Sequence, residues 1–363
     1  MEPSLFIEYV NRYFPRLVLS ITEQINGTEG NANPYYFNRF LTREWSLTGK
    51  WEALQRYNQR IMADVIAMDS SIPLKKRPSL AAASGEIPKI GMEMALNETD
   101  LTNLQMLAGM RNAPEDRIVE MLFQDTATCI TGQYERIEGM FLQGLSSGVT
   151  TVTLTNNVGA EVRLDFQYLA GNQFQSTVPF SAAAATPLQD LVPMIRKAQA
   201  DGNPIRTMLL DQTTLDQILA SDDAKDIFAQ ANNVIGGVTF APTLEQLNVA
   251  IRSKWGFVFE VVERTCRYQI NGVDTDYQPW EAGQIIGINN NSLGSLVWSD
   301  VAEMNAPVAG VTYQRADQFI LASKFRLNRP SLAEFTNSQA RVAPVISATR
   351  QIYKLDSTAT TTT

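Results

Sequence analysis

Residues 114–145 read Pro-Glu-Asp-Arg-Ile-Val-Glu-Met-Leu-Phe-Gln-Asp-Thr-Ala-Thr-Cys-Ile-Thr-Gly-Gln-Tyr-Glu-Arg-Ile-Glu-Gly-Met-Phe-Leu-Gln-Gly-Leu. Ile118, Leu122, Cys129, Ile130, Ile137, Phe141 and Leu145 recur at helical spacing and form one apolar stripe. Asn112 followed by Glu115 resembles a capping box, and Pro114 suits a first helical turn. At 1.5 Å per residue the helix would be about 45–50 Å long. Gly132 and Gly139 are expected to bend it slightly, and Gly144 and Gly148 to end it. A helix of that length on a chain of 363 residues acts as a structural spine.

On its N-terminal side the chain reads as extensions. Residues 71–78 (Ser-Ile-Pro-Leu-Lys-Lys-Arg-Pro) and 86–94 (Glu-Ile-Pro-Lys-Ile-Gly-Met-Glu-Met) suggest two extended limbs joined at the small-residue run 81–85. Excursions of this length are uncommon in compact domains and usually serve a function or a partner. A helix is expected from about Lys50 to Ala67, where Trp51, Leu54, Tyr57, Ile61, Val65 and Met68 are three or four apart. Before it, Pro15, Asn26-Gly27, Gly30 and Pro34 interrupt short apolar bursts, and Tyr35, Tyr36, Phe37, Phe40, Trp45 and Trp51 cluster behind them. Such an arm must lay its aromatics on its own fold or on a neighbouring copy. The density of breakers favours the neighbour.

On the C-terminal side, 149–155 and 161–168 read as a hairpin. Helix and strand then alternate: helices over 188–200, 212–219 and 223–231, and strands over 207–210, 255–262, 283–288 and 295–298. Asn271-Gly272 between Cys266–Ile270 and Val273 is the strongest hairpin signal in the chain. Extended runs at 318–327 and 342–352 precede a tail that reads as disordered. The block 186–318 is thus an α/β domain inserted into the other.

The chemistry is mostly exclusion. There is no histidine, which removes Ser-His-Asp and Cys-His nucleophiles, histidine zinc sites and the usual general base. Cys129 and Cys266 form no CxxC and read as small core hydrophobes. Asp222-Asp223 with Asp226 read as helix-dipole complements, and Asp274 and Asp276 supply too few oxygens for a convincing calcium site. No glycine pattern fits a phosphate cradle. No catalytic, cofactor or metal residues are assigned, and an enzyme is not expected. No apolar run is long enough to cross a membrane and no signal peptide is evident. The net charge of −8 argues against a protein that grips nucleic acid through a basic face. That charge is uneven, with 16 acidic and 9 basic residues over 186–317 against seven basic and two acidic over 315–354.

What survives is architecture, and its order resembles the major capsid proteins of tailed bacteriophages. The fold implied is the α+β Hong Kong phage 97-type (HK-97-like) capsid fold, in its lambda-type branch, the major capsid protein E family. Residues 64–67 (Asp-Val-Ile-Ala) leading to 84–88 (Ser-Gly-Glu-Ile-Pro) resemble the entry to that family's extended loop. Residues 185–191, 200–202, 207–211 and 218–222 are similar to the helix, strand and helix that open its axial domain, and 268–273 with 279–287 to its hairpin and returning strand. The resemblance covers about residues 50 to 350, and none of its motifs is catalytic. It implies an N-terminal arm and helix (1–67), an extended loop (68–105), a peripheral domain (106–185, spine helix 114–145) with return strands (319–356), an axial domain (186–318) and a disordered tail (357–363). It further implies a structural protein that assembles with copies of itself into hexamers and pentamers of an icosahedral shell. The shell would enclose double-stranded DNA without sequence-specific binding, in a virion assembled in the host bacterial cytoplasm. A separate scaffold protein and a portal are implied, a decoration protein is compatible, and no cofactor is required.

Expected inter-subunit contacts are Tyr35, Tyr36, Phe37, Phe40, Trp45 and Trp51 on the arm and Lys75, Lys76, Arg77 and Lys89 in the loop region. In the reference phage an extended-loop lysine bonds covalently to a neighbour's asparagine. Lys75, Lys76 or Lys89 and Asn337 fit by region only, and lambda-type shells manage without the bond. Alternatives are an encapsulin-like nanocompartment shell with the same fold, and a soluble α/β enzyme, which lacks a catalytic set.

Overall fold

The structure is a computed structural model that describes residues 1–27, 35–54, 82–110, 115–231, 241–329 and 331–360. In chain order the elements begin α1 (Ile7–Ile25), α2 (Tyr36–Phe40), β1 (Leu41–Trp45), β2 (Lys50–Leu54), β3 (Ala82–Glu86), β4 (Lys89–Leu96), α3 (Glu98–Ala108) and α4 (Glu115–Ser147). There follow β5 (Val149–Val152), β6 (Val162–Asp165), β7 (Gln173–Ser176), α5 (Pro187–Ala200), β8 (Thr207–Leu210), α6 (Gln212–Ala220), α7 (Asp222–Ala231), α8 (Leu244–Trp255) and β9 (Val258–Val261). The remainder is β10 (Cys266–Ile270), β11 (Val273–Tyr277), β12 (Gln284–Ile288), β13 (Gly294–Ser299), α9 (Ala302–Asn305), β14 (Thr312–Arg315), β15 (Ile320–Leu327), β16 (Ala333–Ile346) and β17 (Ile352–Thr360).

These form two compact units. The first gathers Met1–Trp51, Gly85–Met140 and Ser295–Val345. Its sheet runs β1-β13-β16-β15-β14, with β4 also paired to β16. β16 has 14 residues because it serves several partners: Glu334–Arg341 lie antiparallel to β4, while Ala333–Ala340 lie antiparallel to β15. The spine helix α4 has 33 residues, about 50 Å, and its residues to Met140 belong to this unit. The cap expected at Asn112 and Pro114 lies outside the described residues.

Four expectations for this part of the chain are corrected. Pro15 does not break the arm but sits inside α1, whose Val10, Phe14, Val18 and Thr22 form a buried stripe at four-residue spacing. That burial, with Phe14 stacked on Phe123 at 6.2 Å, outweighs the backbone hydrogen bond that proline forfeits. Second, residues 50–54 of the expected helix 50–67 are strand β2, paired with β3, and 55–67 lie outside the described residues. Third, Ile90, Met92 and Met94 do alternate as a strand, but β4 is incorporated in the sheet rather than extended from it. Residues 98–108, expected in the extended loop, form helix α3. The Asn97 side chain accepts from Thr99 and Asp100 amides in a capping box.

The second unit is built on Phe141–Gly294 and the C-terminal strand. Its sheet runs β7-β17-β12-β8-β9, with β8 parallel to β9, β17 parallel to β7, and β12 antiparallel to both β8 and β17. Leu188, Leu191, Met194, Leu247 and Ile251 from the helices pack with Met208, Leu210, Phe257, Phe259 and Ile285 into one apolar core. The Asn271-Gly272 hairpin forms as expected, both residues taking positive φ (51° and 76°), the pattern a type I′ turn requires.

The compact units do not follow the bounds 106–185, 186–318 and 319–356. Residues 141–185 group with the α/β block, and the return segment divides, β15 and β16 going to the first unit and β17 to the second. β17 is held there because it lies between β7 and β12 with Ile352, Tyr353 and Leu355 buried. It runs to Thr360, so the expected tail 357–363 begins as strand. Helix α8 was not expected. Its signals are a Thr243/Gln246 capping box and Gly256 in the left-handed conformation after its last turn (φ 82°).

Candidate assembly surfaces

The aromatic cluster of the arm is organised by α4. The buried carboxylate of Glu138 accepts the backbone N–H groups of Tyr36 (2.8 Å) and Phe37 (3.0 Å), supplying the start of α2 with acceptors its own turn lacks. The Tyr35 hydroxyl donates to Glu135 at 3.0 Å. Around Tyr134 the rings of Tyr35, Phe37 and Phe319 stand at 5.6, 6.2 and 6.0 Å. The Tyr134 hydroxyl donates to Asp317 (2.8 Å), which also pairs with Arg43 at 2.7 Å. Burial, and then the Asp317 charge, hold the Tyr134 phenol well above its usual range, so it stays a donor.

This geometry sorts the expected contacts. Tyr35, Phe37, Phe40 and Trp51 are buried within their own unit, at 0–4% exposure, so the aromatics lie on their own fold. For Tyr35 and Phe37 the partners lie about a hundred residues away on α4, in Tyr134, Glu135 and Glu138. Tyr36 is half-buried. Trp45 is 50% exposed, and Leu47 in the turn after it is 80% exposed, so an apolar knob projects where β1 turns into β2. Lys89 is exposed at the start of β4. Lys75, Lys76 and Arg77 lie outside the described residues. The Asn337 amide donates to Glu93 at 3.0 Å within the same chain.

Gly49, Gly85 and Ile87 are tied together within the first unit. Ile87 N–H donates to the Gly49 carbonyl, and Arg341 donates to the carbonyls of Ile87 and Gly49. A Cβ on Gly49 would sit 2.5 Å from the Arg341 guanidinium, and one on Gly85 2.8 Å from the Trp51 indole nitrogen. Glycine at both positions lets these side chains close over the backbone.

The second unit's acidic residues have structural duties. Asp223 accepts the Leu188 amide at 2.7 Å, capping α5 from α7. Asp222 pairs with Lys225, Asp276 with Arg267 across the hairpin, and Asp274 accepts from Gln269. Among the described residues no group of three or more Asp, Glu and Cys is placed to hold a metal ion, and no helix is long and apolar enough to cross a membrane. Burial, and then the Asp125 charge, push the Cys129 thiol up to about 12, which leaves it without nucleophilic character at neutral pH.

The family model of phage major capsid protein E matches residues 20–298. Among curated proteins none matches the chain. Among solved structures, a prophage protein of E. coli CFT073 described as a capsid protein aligns with TM-score 0.56 and 11% identity, covering 92% of this chain and 98% of that one. That likeness shows the fold. A phage-related protein of Bordetella bronchiseptica RB50 aligns with TM-score 0.49 and 10% identity, covering 94% and 96%. A chain of the satellite phage P4 procapsid aligns with TM-score 0.47 and 9% identity, covering 98% and 92%.

Proposed function

The chain belongs to the phage major capsid protein E family, and from that premise we propose that it builds the shell of a tailed double-stranded DNA bacteriophage as hexamers and pentamers. The family match over residues 20–298 carries this reading, and it favours a phage shell over a nanocompartment shell. A capsid subunit works through contact surface, which fits the capping and ion-pairing duties of the carboxylates Asp223, Asp222 and Asp276.

The contact surface we assign is led by Trp45, together with Tyr36, Lys89, Lys75, Lys76 and Arg77. A half-exposed tryptophan on a strand paired into a sheet is the residue type that anchors interfaces. In this reading the α/β block is the axial domain, its loops meeting around the fivefold and quasi-sixfold axes. The acidic wall encloses DNA without holding it tightly. Scaffold and portal proteins are assembly partners, a decoration protein is compatible, and the shell forms in the bacterial cytoplasm.

Negative-stain microscopy of the expressed chain across a concentration series tests the proposal. Rings or closed shells are expected, and a monomer at every concentration overturns it. Nuclease-protected DNA in particles from infected cells separates a phage shell from a cargo compartment.

A further inference from the structure

The chain builds two helix–sheet interfaces from opposite chemistry. In the second unit, helix and sheet meet through hydrocarbon. In the first, the stripe of α4 facing the sheet reads Leu122, Thr126, Cys129, Gln133, and the sheet presents Lys324 from β15 with Glu334, Thr336 and Ser338 from β16, all within 1% of full burial.

Hydrogen bonds cross this seam throughout. The Lys324 ammonium donates to the Leu122 carbonyl (2.8 Å) and the Thr336 hydroxyl (3.0 Å), and sits 5.4 Å above the Phe123 ring. The Gln133 amide donates to the Ser338 carbonyl (3.2 Å) and hydroxyl (2.8 Å), while that hydroxyl donates to the Cys129 carbonyl at 2.6 Å. Glu334 accepts from the Ser4 hydroxyl. Yet Thr126 Oγ1, Gln133 Oε1 and one Glu334 carboxylate oxygen have no partner among the described residues. Burial holds the Lys324 ammonium below its usual range, with Glu334 opposing the shift.

Desolvating a lysine and a glutamate while leaving acceptors unmatched is a poor way to gain stability, and an apolar replacement of similar volume often does better. What directional bonds supply is uniqueness. Hydrocarbon tolerates a slipped packing, whereas these bonds are made in one placement of helix on sheet. That placement matters because α4 seats the surface features around it. Met92 of β4 rests where a Cβ on Gly132 would lie 2.5 Å from its sulfur, and Glu138 holds α2 ahead of the Trp45 knob.

We propose that the Lys324–Gln133–Ser338 seam is a register lock, positioning α4 on its sheet at the expense of stability so that the subunit presents one geometry to its neighbours. The proposal rests on the reading of the chain as a shell subunit. Lys324 is here a positioning residue, acting on assembly through α4.

The test compares full-length wild type, the double variant Lys324→Met/Glu334→Leu, which removes both buried charges together, and the double variant Gln133→Leu/Ser338→Ala. Two quantities are read: the urea midpoint of the unassembled chain, and the fraction of chain in uniform particles by sedimentation and microscopy. The lock predicts midpoints equal to or above wild type with at least a tenfold fall in the uniform-particle fraction. Wild-type assembly by both variants overturns it. So does an assembly loss that tracks a fall in midpoint, or failure of both variants to fold, since the seam would then be a source of stability. A wild-type chain that forms no particles overturns the shell reading instead.

Discussion

Replacing Glu138 by alanine removes both acceptors from the start of α2. The Tyr36 and Phe37 amides, bonded at 2.8 and 3.0 Å, would be left beside a cavity in a buried site. Each orphaned buried donor costs about 1–3 kcal/mol, so with partial relaxation the pair costs about 3 kcal/mol. Since every 1.4 kcal/mol is a factor of ten, local opening of residues 35–40 should become roughly a hundredfold more frequent. Hydrogen–deuterium exchange followed by mass spectrometry reads this directly: the peptide spanning Tyr35–Trp45 should exchange about a hundredfold faster. Peptides from α5, which does not depend on Glu138, should be unchanged. Glu138→Gln retains one acceptor and should fall between. Exchange in Glu138→Ala within threefold of wild type would refute the claim that this carboxylate fixes the aromatic cluster to its own spine.

Trp45→Ser should raise the concentration needed for assembly at least tenfold while shifting subunit stability by less than about 0.5 kcal/mol, because the ring is half exposed; light-scattering onset and urea melts together check it. Gly144→Ala would place a Cβ 2.5 Å from the Phe166 ring and 2.6 Å from Thr150 Oγ1, and should cost about 1–3 kcal/mol, seen as a lowered melting temperature. Asp223→Ala leaves the Leu188 amide uncapped and should cost about 1 kcal/mol in a urea titration. For Cys129, the folded thiol stays protonated to about pH 12 while the unfolded thiol ionises near 9. Between those values the folded state binds more protons, so this group makes stability fall with rising pH by up to about 1.4 kcal/mol per unit. Cys129→Ala should lose that part of the alkaline slope, and iodoacetamide at pH 8 should modify wild-type Cys129 only as fast as the chain unfolds.

What could be read from the residues was what local chemistry specifies. The α4 stripe, the α5 helix and the Asn271-Gly272 turn each carry their own spacing and backbone demands, and each formed. The arm misled because Pro15 carries a local penalty while its compensation is non-local, a ring on α4 that stacks on Phe14. The same holds for Tyr35, Phe37 and Phe40. Nothing within ten residues of them says which surface they cover, and for Tyr35 and Phe37 the partners lie on α4, in Tyr134, Glu135 and Glu138. β17 reads as a strand in isolation, but its place between β7 and β12 is set by pairing across the chain. Helix α8 is a different case, since both of its caps and the helical spacing of Leu244, Leu247 and Ile251 are present in the residues, so it was legible from local chemistry alone.

A cryo-electron microscopy reconstruction of particles formed by this chain tests the central claim most directly. The account predicts a closed icosahedral shell whose wall is this subunit, clustered in fives and sixes, with Trp45 covered by a neighbour. A chain that stays unassembled, or particles in which it is not the wall, would contradict it.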